Sequence, residues 1–568
     1  MALHIQGLQG MQYSRNGSEF EESDYSYFNV QYATSSLQQE HNMFPALIVQ
    51  PKSDNDVVET VQWAQGKKVS IAVKSGGHQY CGASSTGGNN IQIDLTNTYK
   101  DMMVLPSDKL SPDRVLVYVG VSNQLQDFNA WLGHNGLFVP HGQCAYVCTG
   151  GHGQTGGYGQ LGRSFGLLGD HIRSIRMVNN EGGIDEDINK TSNPDLFNAI
   201  LGGSPGNFGI ITHYTIEVFQ SKSYMGTVAG PNGYKGPHWM KGLFVYNADI
   251  LKTILTILAK MSDNAAQPRG YDLCVSVLST DFKIPLLFPS LEDDTEYQKL
   301  LDDIANALEK KVLNELKGKL PAFIVVYAQW CPITNTDVYD QTVDNWFKQF
   351  RDLRQHDHFL LLPEGDATMS EITAKWIFPK RREFNLPYVK RTYATNSRSL
   401  STNGWVDVVV GQLNKILDPN QKLSDDKSAE EGEIYDHCKV SVQIQGFGGN
   451  ESQFYVNRDN GTSYSWRDST MVQTMDCFHD VGDTYLKYAQ DWQAANDKLM
   501  NAPKSTFSQQ DKRLLWGSYG DWDMSKPEVW KTYYENEDKY QKLGKARGLA
   551  DPDGIFTANP FAVKAIKQ

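Results

Sequence analysis

The chain lacks several features that would assign it at once to a broad class of protein. It contains no run of about 18 apolar residues, so the sequence predicts no membrane-spanning helix. Acidic residues outnumber basic ones by 66 to 53, and the net charge of −13 argues against binding to nucleic acid or to an anionic membrane surface. The first residues lack the basic and apolar regions of a secretory signal, so they predict no compartment.

Cysteine is scarce and irregularly spaced. The chain has 7 cysteines, an odd number without the spacing of a disulfide framework. Cys144 and Cys148 form a C-x3-C pair with no second pair nearby, so we expect no metal site. A Walker A motif is also missing, which removes the usual signature of phosphoryl transfer. With 568 residues and ordinary apolar and charged fractions, the chain is long enough for two or more globular domains.

Strand and helix patterns alternate between about residues 44 and 218. The segments 46–49, 69–73, 91–95 and 114–119 are typical of strands, and helical spacing begins after Asp54, Ser122 and Asn193. This alternation predicts an α+β unit in two halves. We assign an N-terminal extension to residues 1–40 and the first domain to residues 41–218.

The pattern changes near residue 220. Helical patterns at 249–262, 295–317 and 336–354 are interleaved with strands at 322–327 and 440–444. They predict a second domain over residues 219–480, with an antiparallel sheet and helices on one face. Two further helical patterns, at 484–500 and 527–547, belong to a C-terminal segment, residues 481–568, that we expect to return to the first domain.

Two glycine-rich segments carry the candidate chemistry. The first spans residues 74–82 and contains His78, and the second spans residues 142–159 and contains Cys144. Backbone N–H groups without bulky side chains can cradle a pyrophosphate, and the two nucleophiles could fasten one flavin at two points. A dinucleotide fingerprint at 151–156 is a weak alternative, because the glycine-rich residues after it do not favour a helix. We therefore expect two extended loops, with His152 in a structural role.

Together these segments resemble the flavoproteins of the vanillyl-alcohol-oxidase type. Strand 69–73 followed by Lys-Ser-Gly-Gly-His-x-Tyr-x-Gly resembles their pyrophosphate loop. The second segment, with Arg163, Phe165-Gly166-Leu167 and Asp170 after it, resembles the berberine-bridge-enzyme-like branch, and residues 206–211 are similar to that family's Gly-x-Phe-Gly-Ile-Val strand. The resemblance is strong over about residues 40–220 and weak over the C-terminal third.

The resemblance implies FAD attached covalently to both His78 and Cys144. It also implies that the other cofactor contacts come from the residues around these two attachment points. They are Lys74, Ser75, Gly76, Gly77, Gln79, Tyr80, Gly82, Gly142, Val147, Thr149, Gly150, Gly151, Gly156, Gly157, Tyr158, Gly159, Gly209 and Ile210.

The resemblance indicates two places for a general base, which must reach the substrate hydroxyl. Tyr519 keeps the tyrosine that serves as the base in sugar-oxidising members, with Trp516 in a neighbouring substrate position. Near the turn at 446–449, Gln445 and Gln453 occupy positions where other members carry acidic residues, and we expect them to contact substrate. Glu451 is a second candidate base, because on a strand it would share a face with Gln453.

The resemblance implies an oxidase that takes a hydride from a hydroxyl-bearing carbon to flavin N5, with O2 as the final acceptor and H2O2 as product. In this family the residue at the position of Val147 gates oxygen, and valine accompanies oxidases. The expected partners are O2 and a small molecule, which we expect to be a sugar or an oligosaccharide. The alternatives are oxidation of a specialised metabolite by cyclisation, desaturation or alcohol oxidation, and a non-catalytic flavin-bearing storage or defence protein.

Overall fold

The computed structural model describes residues 3–15, 44–79, 82–106, 110–279, 322–334, 336–377, 387–417, 437–500 and 523–567. Three sheets and the helices around them make up this part of the chain, which confirms the expected α+β class. Within these ranges, no helix has the length and apolar character needed to cross a membrane.

The first sheet has the strand order β1-β2-β4-β3. Its strands are β1 (Met11–Ser14), β2 (Leu47–Gln50), β3 (Ile71–Lys74) and β4 (Ile91–Asp94), and helix α1 (Asp54–Lys67) follows β2. Strands β2, β3 and β4 are parallel, and β1 pairs antiparallel with β2. Residues 11–14 of the predicted extension form an edge strand of this sheet, and the inner strand β4 is buried along its whole length.

The second sheet is antiparallel, with the order β5-β6-β10-β8-β9 and β7 paired to β10. Its strands are β5 (Met102–Leu105), β6 (Arg114–Gly120), β7 (Leu137–Phe138), β8 (Ile172–Val178), β9 (Ile184–Ile188) and β10 (Ile210–Gln220). Its helices are α2 (Leu125–His134), α3 (Thr149–Gln154), α4 (Gly162–Phe165) and α5 (Pro194–Ile200). Ser122 does not cap α2 as expected. Its hydroxyl donates to the carbonyl of Leu95 (2.6 Å), and Gln124 occupies the cap.

The third sheet is antiparallel, with the order β14-β11-β13-β12-β17-β18-β16 and β15 paired to β11. Its strands are β11 (His238–Val245), β12 (Tyr271–Leu278), β13 (Phe323–Trp330), β14 (Phe359–Leu361), β15 (Glu364–Asp366), β16 (Tyr388–Thr395), β17 (Cys438–Gly446) and β18 (Met471–His479). Its helices are α6 (Ala248–Asp263), α7 (Gln341–Arg351), α8 (Met369–Trp376), α9 (Trp405–Leu417), α10 (Gln453–Val456) and α11 (Asp483–Met500). Helices α6, α9 and α11 contact the strands of this sheet. The helix expected at 295–317 lies outside the described residues.

The C-terminal segment divides between the two halves of the molecule. Helix α11 packs on β16 and β18 of the third sheet, so it does not return to the first domain. The pattern at 527–547 forms two helices, α12 (Pro527–Tyr533) and α13 (Glu537–Ala550), because Asn536 interrupts it and caps α13. Helix α13 contacts α5, so the return to the first half begins after α11.

An aromatic cluster joins the third sheet to the second. Phe138 lies 5.1 Å from both Phe165 and Phe219 between ring centroids. The same buried cluster includes Leu243 and Val325 of the third sheet. This packing fixes one face of the third sheet opposite the glycine-rich segments.

Candidate functional site

One large cavity brings the two glycine-rich segments together. Its volume is about 1990 Å³, including space open to solvent. Residues 75–79, much of segment 142–160 and side chains of the third sheet line it.

The first segment packs directly on the backbone of the second. A Cβ atom at Gly76 would lie 3.1 Å from the carbonyl oxygen of Tyr146 and 3.2 Å from Sγ of Cys148. A larger residue at this position would therefore separate the two segments. Because the segments touch here, His78 and Cys144 border the same cavity.

A buried ion pair anchors the first segment. Nζ of Lys74 lies 3.1 Å from Oδ2 of Asp94 and 3.1 Å from Oγ1 of Thr96. Thr96 in turn donates to the carbonyl of Ser75 (2.7 Å). Lys74 does not line the cavity, and its side chain holds the loop in place through these contacts.

The second segment is clamped to the start of α2. The N–H of Leu125 donates to the carbonyl of Val147 (2.8 Å), and the N–H of Gln126 donates to that of Ala145 (3.1 Å). These bonds lie on either side of Tyr146 and leave Cys144 half-buried at the cavity. The position of Cys144 is thus fixed by backbone hydrogen bonds.

His152 fixes the backbone at the start of the second segment. Its Nε2 accepts a hydrogen bond from the N–H of Gly142 (2.8 Å). Burial, with a smaller contribution from His141, lowers the pKa of His152 to about 3, so the ring is neutral and can accept. This contact supports a structural role for His152, because it orients the backbone two residues before Cys144.

The expectation that the second segment is wholly extended is wrong. Residues 149–154 form helix α3 despite three glycines. Tertiary contacts explain this, because Gly150 and Gly153 pack where a Cβ would lie within 2.8 Å of Val121 and 2.9 Å of Ile172. Close packing here overrides the low helix propensity of glycine.

The two neighbouring cysteines have different environments. Cys148 is buried, its Sγ lies 3.5 Å from the carbonyl oxygen of Ser122, and burial raises its pKa to about 12. It therefore remains a thiol at neutral pH. Cys144 is less buried, which makes it the better placed nucleophile of the pair.

One face of the third sheet forms the opposite wall. In β17 the side chains alternate, so that Ser441 and Gln443 face the cavity while Val440 and Ile444 face the hydrophobic core. The neighbouring strands β12 and β18 place further polar side chains next to those of β17 on the same face. The residues of this sheet that face the cavity are Ser276, Leu278, Tyr327, Lys390, Ser441, Gln443, Thr474 and Asp476. Val442 also borders the cavity, although its side chain belongs to the core on the other face.

Lys390 and Asp476 are the charged side chains on the described lining of the cavity. Nζ of Lys390 lies 2.7 Å from Oδ1 of Asp476, and the side chains are only 2% and 1% exposed. Tyr327 borders the cavity in the same wall, and its burial raises its pKa, with smaller contributions from Cys274 and Cys144. Tyr327 therefore stays protonated and is unsuited to act as a base.

The structure sorts the predicted cofactor contacts into two groups. Thirteen of the proposed positions line the cavity, and the other six described positions do not. The lining positions are Ser75, Gly76, Gly77, His78, Gln79, Gly142, Cys144, Val147, Gly150, Gly151, Tyr158, Gly159 and Gly209. The positions that do not line it are Lys74, Gly82, Thr149, Gly156, Gly157 and Ile210. Tyr80 lies outside the described residues.

The predicted substrate contacts near the turn are placed differently. Gln445 is buried and its Nε2 donates to the carbonyl of Gly159 (2.6 Å), so it bridges the third sheet to the second segment. Gln453 begins helix α10, so the expected strand, with Glu451 and Gln453 on one face, is wrong. Glu451 is exposed on the preceding turn and does not line the cavity, which removes it as a base. Trp516 and Tyr519 lie outside the described residues.

The lining positions contributed by separate strands were not evident from the sequence. Ser276, Lys390, Thr474 and Asp476 come from three strands far apart in sequence. Polar residues alternating with apolar ones in β17 and β18 were the available signal. No cluster of three or more potential metal ligands occurs within the described ranges.

Comparison with known proteins connects this cavity to flavin chemistry. Residues 45–186 match the model of the FAD-binding domain. An FAD-linked oxidoreductase from Dictyostelium discoideum is 26% identical over 289 residues, which cover 51% of this chain and 56% of that protein. Berberine bridge enzyme-like 12 from Arabidopsis thaliana is 30% identical over 34% of each chain. The chain thus matches between about a third and just over half of the length of these relatives.

The fold comparison extends over the full chain. Glucooligosaccharide oxidase from Acremonium strictum, whose FAD is linked to a cysteine and a histidine, superposes with a TM-score of 0.64 at 15% identity, covering 98% of both chains. The chain thus contains an FAD-binding domain over residues 45–186, and its fold is similar to that of this oxidase. Segments of the FAD-binding domain form one wall of the cavity, and the third sheet forms the opposite wall.

Proposed function

We propose that this protein is an FAD-dependent oxidase with its flavin bonded to both His78 and Cys144. The observation that carries the proposal is that the two side chains border one cavity although 66 residues separate them in sequence. Both lie in backbone segments that touch each other at Gly76. This arrangement supports attachment of one planar ligand at two points.

The residues present fit FAD. Gly142 and Gly159 leave no room for a side chain, because a Cβ would lie 2.7 Å from Cε1 of His152 and 1.8 Å from the carbonyl oxygen of His141, respectively. The glycine backbone at 75–77 and 150–151 offers N–H groups without bulky side chains to a pyrophosphate. Bound FAD would accept the hydride that the substrate carbon loses.

The opposite wall supports a hydroxyl-bearing substrate, which we propose to be a sugar or an oligosaccharide. Hydroxyl and amide side chains of Ser276, Ser441, Gln443 and Thr474 face the cavity there. Such groups both donate and accept hydrogen bonds, as the hydroxyls of a sugar do. The fold shared with glucooligosaccharide oxidase is consistent with this substrate class.

Tyr519 remains the proposed base. It would accept the proton of the substrate hydroxyl while the hydride leaves the carbon. Two competing groups are unsuited, since Glu451 is exposed away from the cavity and burial keeps Tyr327 protonated. Tyr519→Phe should slow flavin reduction by about 10²–10⁴-fold while the flavin stays attached. Tyr455→Phe is the control, because Tyr455 is a half-buried residue of α10 that does not line the cavity, and it should leave the rate unchanged.

O2 is the proposed acceptor, with H2O2 as the product. Val147 lines the same cavity as Cys144, three residues after it in sequence. Val147→Leu should slow reoxidation by O2 and leave the anaerobic reduction rate unchanged, as stopped-flow absorbance would show. Equal slowing of both half-reactions would contradict a role in oxygen access.

An anaerobic screen tests the function as a whole. Mono- and oligosaccharides, simple alcohols and alkaloid-like phenols are mixed with the holoenzyme, and the loss of flavin absorbance near 450 nm is followed. We expect reduction by at least one sugar and stoichiometric H2O2 on admission of air. Reduction by the alkaloid-like phenols alone would favour the alternative of a specialised-metabolite oxidase. If none of the hydroxyl compounds reduced the flavin, the proposed oxidase would be overturned.

A further inference from the structure

The ion pair of Lys390 and Asp476 occupies an unusual position. The two residues are directly opposite each other on β16 and β18, and Ser441 of β17 is directly opposite Asp476 on the other side. All three side chains line the cavity, and Lys390 and Asp476 are almost fully removed from solvent. A fixed donor and a fixed acceptor therefore stand 2.7 Å apart in the wall that faces the glycine segments.

Stability does not account for this pair. Removing two charges from water is costly, and the attraction between them commonly only balances that cost, so apolar residues of similar volume would serve the fold as well. The other face of the same strands is filled by Val389, Met475 and Cys477, which shows that apolar packing suits this sheet. Hydrogen bonds from a ligand to both Lys390 and Asp476 would explain why the two charges lie at the cavity.

The charge balance of the pair restricts that ligand. Because the ammonium and the carboxylate cancel, the described residues of this wall carry no net charge, which favours a neutral molecule. The ammonium carries three N–H donors and the carboxylate accepts several hydrogen bonds. Neighbouring hydroxyl oxygens on a carbon chain are separated by about one hydrogen-bond length, similar to the spacing of the pair.

We propose that Lys390 and Asp476 bind two adjacent hydroxyl groups of a neutral polyhydroxylated substrate. Lys390 donates to one hydroxyl oxygen, and Asp476 accepts from the neighbouring hydroxyl. Ser441 and Thr474 extend the same polar surface. The inference rests on the proposed function, since it names the feature by which that site selects its substrate.

Binding is tested separately from oxidation, with the covalently loaded holoenzyme. The probes are 1,5-anhydro-D-glucitol, which lacks the anomeric hydroxyl, and its 3-deoxy analogue, which has no two adjacent ring hydroxyls. Their dissociation constants are measured from changes in the flavin absorbance. We expect the wild type to bind the first probe at least tenfold more tightly than the second.

The test variants neutralise the pair. Lys390→Met/Asp476→Leu should bind both probes equally, and Asp476→Asn should lose most of the preference even if the double variant folds poorly. Arg391→Met is the matched control. It removes an ion pair with Asp497 (3.2 Å) from the next position on the same strand, away from the cavity, and should keep the preference.

The outcomes separate this inference from the proposed oxidase. Equal binding of both probes by the wild type, absence of binding, or a preference retained in both pair variants would overturn the role of the pair. If a sugar still reduces the flavin in that case, the oxidase assignment stands. The wild type could instead show a tenfold preference that depends on the pair while no sugar reduces the flavin. That result would support the binding site and contradict the proposed oxidation.

Discussion

The two walls of the cavity are built in opposite ways. The wall that would hold the cofactor consists mainly of backbone from two segments, and it depends on close contacts at Gly76, Gly142 and Gly159. The facing wall consists of side chains from the third sheet, held on a regular antiparallel ladder. A backbone wall tolerates few substitutions, whereas a side-chain wall can change its polar groups without changing its shape. The difference suggests a fixed cofactor site opposite an adaptable substrate site.

The largest expected effect comes from separating the two walls. Asp170, which follows the second segment, pairs with Arg467 of the other half (2.8 Å) at exposures of 1% and 3%. Burial opposes ionisation of Asp170, but the charge of Arg467 outweighs it and lowers the pKa of the carboxyl. Asp170→Asn should cost about 3–5 kcal/mol of unfolding free energy, because it leaves a buried guanidinium without its counter-charge.

Thermal and denaturant unfolding would measure this loss. Asp407→Asn is the control, since Asp407 forms an exposed ion pair with Lys252 (2.6 Å) and should cost at most about 1 kcal/mol. Comparable losses in the two variants would show that the junction between the walls is not the stabilising element described here.

A methyl group in the backbone wall should have the next largest effect. In Gly159→Ala the new Cβ would lie 1.8 Å from the carbonyl oxygen of His141, so the backbone must shift. We expect a loss of about 1–3 kcal/mol and a lower flavin content. Gly66→Ala in α1, where nothing lies within 4 Å of the new Cβ, should retain full flavin content. Full loading of Gly159→Ala would contradict a backbone wall that fits its ligand closely.

The contact between the walls should also respond to pH. Asp272 of β12 accepts a hydrogen bond from the N–H of Arg163 (2.9 Å), and burial raises its pKa to about 6, although the charge of Arg163 opposes the rise. A raised folded-state pKa favours the protonated acid in the fold. The associated stabilisation is therefore present below about pH 4 and is lost as the pH rises through about 6.

The difference in melting temperature between wild type and Asp272→Asn isolates this contribution. Wild type should lose stability relative to the variant between pH 4 and pH 6, with no further relative change above pH 7. A relative gain over the same range would show that the carboxylate form is the one favoured in the fold.

The smallest effect on the fold is expected in the side-chain wall. Ser441→Ala should change the unfolding free energy by about 1 kcal/mol or less, and the flavin should stay attached. Its effect should appear in the half-saturation constant for flavin reduction by the substrate. Loss of flavin from this variant would contradict the claim that only the backbone wall holds the cofactor.

The same distinction explains what the sequence could predict. Glycine, His78 and Cys144 stand in two contiguous motifs, so the backbone wall was visible in the sequence, and the α+β class followed from the alternation of patterns. The side-chain wall could not be recognised in the sequence. Its residues Ser276, Ser441, Lys390 and Asp476 are brought together only by the strand order and the register of the sheet. Gln445 shows the limit most clearly, since its amide holds Gly159 instead of facing the cavity. Helix α3 was missed because tertiary contacts overrode glycine's low helix propensity.

The intact mass of the denatured protein tests the central claim most directly. The wild type should carry the added mass of one FAD. His78→Ala and Cys144→Ala should each retain it through the remaining bond, and the double variant should lose it on denaturation. A wild-type mass without FAD, or a double variant that keeps it, would contradict attachment of one flavin at these two points.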